Sequence, residues 1–522
     1  MKKIGFDFGT TNSMISYFDS KDKKIEPFSI DGHEYYLPTI ISYKKKDNRQ
    51  VIGSAAKSNI GDSDYETHKR FKLFLGADFD KSIHDSNKTP LQITEDYIVN
   101  LLELYREKQN LDALDAVVMT VPAVWRRERR NVAAVDNIMT IFRNKGISAK
   151  LESEPEAACV YFCWAYEQAN RNKFEGHALV IDFGGGTLDL ALCRLAKEGL
   201  GVLEIAGYGE HDENNGCAGV AFDEAVVSSL ISKINKNFVR DKKYNKALIE
   251  FERKKIHNCA EISEKIDLYY DDPSLVEGDV IFKIDYGDEE LKVETRDMVD
   301  AFKKVNLEHL KQALVEMQGY FSAHQVNAGS QSEKFKVLLV GGFSNFHCVK
   351  KEVMEFFGSK IDSDDVRFQI CFPEMDRSYA ISKGAALVAE EIIPIVQKSH
   401  FAYGVVANGL DYIEVLPKGK NLSEARTPVY SKVKFSAKLR TAKPEIFLDD
   451  SRRKRKIKLD RNNEELFPNF SVGDVADKRY QIGFSLDASE IPTLHIKDQN
   501  GNEKKHSLNK IIESLPAIEV ED

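Results

Sequence analysis

Near the start of the chain, the apolar run Ile4-Gly5-Phe6-Asp7-Phe8 breaks at Gly9-Thr10-Thr11-Asn12-Ser13 and resumes as Met14-Ile15-Ser16-Tyr17-Phe18. Apolar run, glycine-bearing polar turn and second β-prone run together predict a hairpin. The order recurs 175 residues later, where Leu179-Val180-Ile181-Asp182-Phe183 leads through Gly184-Gly185-Gly186-Thr187 into Leu188-Asp189-Leu190-Ala191-Leu192-Cys193. A hairpin with an acidic residue at its tip, used twice, implies a duplicated, two-lobed architecture. Ala116 to Pro122 reads as a buried strand, and Arg126 to Lys145 as an amphipathic helix closed by Gly146. Ser153 is placed to cap a helix running to about Ala169. Phe222 to Asp271, without Pro or Gly, reads as mostly helical, Leu275 to Val293 as strands and Arg296 to Met317 as one helix. Phe335 to Val340 is a strand entering Gly341-Gly342, and Ser378 to Glu391 a helix. After Pro394 come short alternating runs such as Val429 to Leu439, Glu445 to Leu448 and Tyr480 to Leu486. The sum is an α/β region followed by a β module, with the boundary near Gln397-Lys398-Ser399.

The paired turns carry a chemical implication. Glycines at a strand tip let backbone N–H groups approach an anion, and adjacent Thr hydroxyls add donors. A carboxylate beside such a turn repels phosphate unless a cation sits between them. Asp7 and Asp182 therefore imply Mg²⁺, a hard ion that keeps several waters and bridges carboxylates to phosphate oxygens. Two such hairpins facing each other would grip a polyphosphate from both sides. No Gly-x4-Gly-Lys-Ser/Thr occurs, which excludes a P-loop, and the first hairpin lacks the Gly-x-Gly-x-x-Gly of a dinucleotide site.

Composition narrows the picture. The 522 residues predict two to four domains, and 42% apolar residues suffice for packed cores. A net charge of −9 gives no global reason to bind nucleic acid or anionic lipid. The charged start lacks a signal-peptide apolar region, and no apolar stretch approaches membrane-spanning length. Seven cysteines without a Cys-x-x-Cys fit free thiols in a reducing cytoplasm. The twelve His form no ligand pair at helical spacing.

Taken together, these residues resemble a known family. Ile4 to Ser13 resembles the first phosphate motif of the actin-like ATPase superfamily, and its Asp-x-Gly-Thr-Thr-Asn-Ser wording is similar to the seventy-kilodalton heat-shock (DnaK-like) chaperones. Val180 to Asp189 resembles the second phosphate motif. Thr120 to Trp125 and Glu154 to Ala158 resemble the connecting segments, Val337 to Ser344 the adenosine motif, and Lys383 to Ala386 the last helix. The resemblance implies a two-lobed actin-like (ribonuclease H-like) ATPase domain over 1–397, with lobes of about 1–178 and 179–397, and a small all-β domain over 398–522. It implies that Asp7 and Asp182 hold Mg²⁺ through its waters, and that Gly9, Thr10, Thr11, Asn12 and Gly184 to Thr187 (with Gly185 and Gly186 between) bind phosphate. Glu154 would act on the attacking water or the Mg²⁺ shell, and Gly341, Gly342 and Ser344 would wall the adenosine. Pro122 and Arg130 match a proline switch and arginine relay. The family's γ-phosphate lysine, four residues before a Gly, matches Lys72, with Lys69 a rival register.

The chain departs from the family in two places. The adenine-side helix should present Glu then Lys three apart, whereas Glu261 and Lys265 lie four apart. Ile392 to Lys398 replaces the acidic, Leu-rich interdomain linker. The 120 or so residues after Phe401 leave no room for a helical lid beyond a short helix at Leu508 to Leu515, an arrangement similar to the lidless branch of the family. Lys434 to Arg461 holds eleven basic residues against four acidic ones. Its central Ser451-Arg452-Arg453-Lys454-Arg455-Lys456 has no interleaved aromatic and reads as a solvated hairpin tip between Phe447 and Ile457 rather than a nucleic-acid surface. The expectation is a cytoplasmic chaperone-like protein that binds ATP or ADP with Mg²⁺, hydrolyses ATP slowly, and engages a protein or peptide client through its β domain, with co-chaperones as further partners. The alternatives are a nucleotide-sensing scaffold with little turnover and, with less support, a small-molecule kinase.

Overall fold

A computed structural model describes residues 2–29, 36–75, 88–123, 125, 132–196, 199–208, 217–326, 334–358, 378–393, 395, 398–399, 401–407, 411–436, 441–442, 445–449, 470–471, 479–487 and 492–508. The chain divides into two compact units. One comprises Met1–Phe74, Asp78–Ala123 and Gly146–Pro394, the other Leu75–Ala77, Val124–Lys145 and Ile395–Asp522.

The first unit contains two sheets built on one plan. Strands β1 (Lys3–Phe8), β2 (Asn12–Asp19), β3 (Lys24–Pro27), β4 (Ala116–Val121) and β5 (Ala149–Ser153) run in the order β3-β2-β1-β4-β5. Strands β6 (Gly176–Phe183), β7 (Leu188–Ala196), β8 (Gly199–Tyr208) and β9 (Phe335–Val340) run in the order β8-β7-β6-β9. In each sheet the motif-bearing strand pairs antiparallel with its hairpin partner and parallel with a later strand. Parallel pairing requires a crossover of a dozen or more residues, which the intervening helices supply. The shared order is the structural form of the repeat seen in the sequence.

Helix α1 (Glu154–Asn170) begins where Ser153 accepts a bond from the Glu156 N–H, with Pro155 in the first turn. Helix α2 (Ala380–Ala389) lies between α1 and β1, in van der Waals register with both. A methyl on Gly384 would fall 1.7 Å from the Ala157 carbonyl oxygen, and one on Gly5 would fall 2.1 Å from the Ala386 nitrogen. Ser16 and Ser382 share a buried hydroxyl bond of 2.8 Å. In the second sheet's core Phe183 meets Phe343 edge-on at 5.0 Å, and Phe222 contacts both Phe343 and Phe346. That cluster fixes the turn after β9.

Several elements differ from the sequence reading. Residues 222–271 form three helices, Gly219–Ile234, Lys242–His257 and Cys259–Asp271, because Asp241 caps a fresh start by accepting from the Lys243 and Tyr244 N–H groups. The single helix expected at Arg296 to Met317 is two, Thr295–Val305 and Leu307–Gly319, parted where Asn306 Nδ2 donates to the Cys217 carbonyl. The helix Pro90–Lys108 was not anticipated, although Thr89 and Gln92 form a capping box at its start. Nor was the three-stranded sheet of Ile40–Lys44, Gln50–Ile52 and Tyr65–Lys69. Arg126 to Arg130 lie outside the described residues; the described part of that helix is Val132–Asn144, and Gly146 follows with a φ of +65°.

In the second unit, β10 (Ala402–Ala407), β11 (Asp411–Leu416) and β12 (Glu445–Asp449) form one sheet in the order β11-β10-β12. A second sheet runs from Val429–Tyr430 through β13 (Arg479–Leu486) and β14 (Pro492–Asp498) to β15 (Glu503–Ser507). Tyr403, Leu416, Phe484, Leu494 and Ile496 share one core, so even-numbered residues of β13 and β14 face inward. The Ser451 to Lys456 run lies outside the described residues, as does all of the expected terminal helix except Leu508, which is buried and not helical. Cys371 is likewise outside; the other six cysteines are free thiols. Among the described residues no helix is long and apolar enough to cross a membrane.

Candidate functional site: two glycine turns and a buried carboxylate cluster

The turns after β1 and β6 abut. A Cβ on Gly185 would lie 2.0 Å from Thr11 Oγ1, and one on Gly186 would lie 2.8 Å from Thr10 Cγ2. Only glycine allows this approach, so Gly185 and Gly186 have a steric origin as well as a chemical one. Each turn is pinned from behind. Thr39 donates its N–H to the Thr11 carbonyl at 2.7 Å and its hydroxyl to the Gly9 carbonyl at 2.8 Å. Ser13 Oγ shares a hydrogen bond with the same Thr39 hydroxyl at 2.9 Å. Opposite, the Gly184 N–H donates to the Thr187 carbonyl, while the Gly219 and Val220 N–H groups donate to the Gly184 and Gly185 carbonyls. Asn12 opens β2, its backbone opposite Pro38.

Beneath the turns sit buried charges. Lys72 is 3% exposed and donates to Glu154 Oε1 at 2.9 Å and to the Phe8 carbonyl at 2.5 Å. Asp7 accepts from the Thr120 hydroxyl at 3.1 Å, a bond that the parallel Asp7–Thr120 register delivers. Burial, reinforced by the Glu154 charge, pushes the Asp7 carboxyl up to about 7, against the pull of Lys72. Asp182 is raised well above the usual carboxylate range by burial and by Glu154, Asp189 and Asp7. Negative charge in this cluster therefore exceeds what Lys72 neutralises.

That excess is what a hydrated divalent cation would relieve. Thr11 Oγ1 is buried without a hydrogen-bond partner, beside the opposing glycine turn, so it has an unused polar atom at the same place. Among the described residues no three His, Cys, Asp or Glu side chains converge closely enough to hold a metal ion directly. A fit through retained waters, as Mg²⁺ prefers, matches this donor set.

The Asp7 shift makes a signed prediction for the nucleotide-free chain. A carboxyl raised from 3.8 to about 7 on folding costs nothing below pH 4, costs progressively more as pH rises to 7, and is a constant penalty above. Asp7→Asn should raise the melting temperature at pH 8 by about 2 °C or more and leave it unchanged at pH 4. Thermal unfolding at both pH values checks this; equal effects would contradict the assigned charge state.

Gly341 takes a φ of +84°, and a Cβ there would lie 2.4 Å from Asp182 Oδ1, so the third motif backs directly onto the second. Ser344 is buried and donates to the Gly341 carbonyl at 2.7 Å, while a Cβ on Gly342 would meet open space. Glu261 and Lys265 lie one turn apart on the helix Cys259–Asp271, near enough for the Glu261 charge to act on the Lys265 ammonium. Glu261 is exposed, and Lys265 is ion-paired with Asp279.

A cleft open to solvent lies beside Thr10 and Thr11 and is lined across the lobes by Lys57, Lys69, Arg70 and Glu252. Lys57 pairs with Glu252 at 2.7 Å and Arg70 with Glu224 at 2.6 Å, both between the first and second lobes. Lys69 thus lines the cleft while Lys72 lies in the carboxylate cluster. The sequence reading missed Thr39, Thr120 and these cross-lobe pairs. Thr120 had a signal in its place at the end of a strand parallel to β1; the others join residues too distant along the chain to leave one. Pro122 follows β4, whereas Arg130 lies outside the described residues.

A sequence profile described as Hsp70 protein matches residues 3–402. The chain is similar to proteins named "Chaperone protein DnaK". The one from Mycoplasmopsis agalactiae is 22% identical over 99% of this chain and 80% of its own length. That from Thermosipho africanus is 22% identical over 82% of this chain and 67% of its own. That from Metamycoplasma hominis is 23% identical over 99% of this chain and 81% of its own. With the duplicated sheets, the abutting glycine turns and this match over most of its length, the chain belongs to the Hsp70 family and has its α/β actin-like ATPase fold with a β domain.

Proposed function

We propose that the chain is an ATP-dependent chaperone whose ATPase domain, residues 1–397, binds Mg-ATP between the two glycine turns. Slow hydrolysis would couple nucleotide state to a protein or peptide client held by the β-rich residues 398–522. The observation that carries this reading is the meeting of Thr10–Thr11 with Gly185–Gly186 directly above the buried Asp7, Glu154 and Asp182. Backbone N–H groups of both turns and the Thr10, Thr11 and Thr187 hydroxyls would hold phosphate oxygens. Asp7 and Asp182 would orient the cation's water shell, and Glu154, steered by Lys72, would orient the attacking water. Bound Mg²⁺ would supply charge neutralisation between phosphate and carboxylates. Co-chaperones and a cytoplasmic setting belong to the same proposal.

Calorimetry with ATP and ADP, with and without Mg²⁺, tests it. Wild type should bind both nucleotides in a Mg²⁺-dependent manner, and Asp182→Ala should weaken binding by tenfold or more. Absence of binding by wild type would end the proposal. A second reading, a nucleotide-sensing scaffold with little turnover, is favoured by Lys265 being already ion-paired with Asp279. Binding without phosphate release would select it.

A further inference from the structure

On the outer face of the second sheet in the β-rich unit, three strands place a serine, a histidine and a glutamate in one hydrogen-bonded line. Ser485 on β13 lies with its Oγ 2.7 Å from His495 Nε2 on β14. His495 Nδ1 lies 2.5 Å from Glu503 Oε1 on β15. The strand registers pair Gly483 with His495 and His495 with Lys505, so the three residues are diagonal neighbours on one face, within side-chain reach. Their neighbours Phe484, Leu494 and Ile496 point into the core, which leaves this line on the opposite side.

The proton positions follow from donor inventory. Tyr430 donates its hydroxyl to Glu503 Oε1 at 2.6 Å, and Lys505 lies 3.7 Å from the other carboxylate oxygen. Those partners, with His495, hold the Glu503 carboxyl below its usual range and therefore ionised. An ionised carboxylate only accepts, so His495 Nδ1 must be the N–H donor. In the neutral ring Nε2 is then the lone-pair nitrogen, and the Ser485 hydroxyl donates to it. This is the tautomer a general base needs, with its orientation fixed by a third group. His495 is 2% exposed and covered edge-on by the Tyr430 ring, whereas Ser485 is half-buried and so reachable from outside.

We propose that Ser485, His495 and Glu503 form a nucleophilic acyl-accepting site for activated esters in the β-rich unit. Ser485 Oγ attacks the ester carbonyl carbon as its proton passes to His495 Nε2. The carbonyl carbon's bond to the leaving oxygen breaks, and that oxygen takes the proton from Nε2, leaving acyl-Ser485 and a neutral alcohol or phenol. No oxidant or second substrate is needed. Glu503 stays ionised and stabilises the transient imidazolium through the Nδ1–H bond.

The test is covalent labelling of the full chain with p-nitrophenyl acetate and, separately, a fluorophosphonate probe, read by peptide mass spectrometry. Wild type should carry its principal adduct on Ser485, forming at least tenfold faster than on other serines. Ser485→Ala should remove that adduct. Glu503→Gln is the discriminating variant: it is isosteric, but its amide can donate to Nδ1 and place the ring proton on Nε2, so labelling should fall at least tenfold with an unchanged melting temperature. His495→Asn should do the same, and Glu503→Gln keeps the test decisive if that variant does not fold. No preferential adduct on Ser485, or an adduct indifferent to Glu503→Gln, would overturn the proposal and leave the line as a cross-strand hydrogen-bond network.

Discussion

Lys72→Ala should lower ATP turnover by about 10²–10³-fold, equivalent to about 2.7–4 kcal/mol of barrier, the scale seen when a preorganised electrostatic stabiliser is removed. Two effects act together in this variant. Positive charge next to the glycine turns disappears, and Glu154, 6% exposed, loses its ion-pair partner. An uncompensated buried charge is costly. Since Lys72 is among the groups that hold the Asp7 shift down, its loss should raise that carboxyl further. Single-turnover phosphate release on wild type, Lys72→Ala and Lys69→Ala separates the two lysines. Unchanged turnover in Lys72→Ala, with loss in Lys69→Ala, would move the role to the residue lining the open cleft.

The second large effect concerns the fold. Gly384→Ala should destabilise the first unit by about 3 kcal/mol, the upper end of typical overpacking costs. The added methyl would fall 1.7 Å from the Ala157 carbonyl oxygen and 2.4 Å from its carbon, and backbone cannot rotate aside as a side chain can. Relief requires α2 to move away from α1, and α2 is pressed on its other side against β1 through Gly5. Since α1 carries Glu154 at its first residue and β1 carries Asp7 near its end, separation would also disturb the carboxylate cluster. Urea denaturation should show a lowered midpoint with an unchanged slope. A midpoint equal to wild type would mean that the contact between α1 and α2 is looser than described.

The hairpins were legible because their signals are local. Asp7 and Asp182 sit at the ends of apolar runs, and the glycines and threonines that follow have few other uses in that order. The reason for Gly185 was not legible, since it lies in Thr11, a residue of the other lobe. Thr39 is a similar case: nothing around it marks a residue that bonds Gly9 and Thr11, because the contact arises only when the chain folds back. Helix content between Phe222 and Asp271 was readable from composition, but its first break depends on Asp241, whose capping role competes weakly with helix propensity along the run. The helix Pro90–Lys108 did carry a readable start in Thr89, Pro90 and Gln92. The Ser485–His495–Glu503 line left no trace in spacing, because diagonal neighbours on three strands depend on two hairpin registers at once.

A crystal structure of the chain with Mg²⁺ and a non-hydrolysable ATP analogue tests the central claim most directly. The account predicts the terminal phosphates between Thr10–Thr11 and Gly184–Thr187, contacted by both turns, with the metal's waters on Asp7 and Asp182. A nucleotide bound elsewhere, or phosphates touching one turn alone, would contradict it.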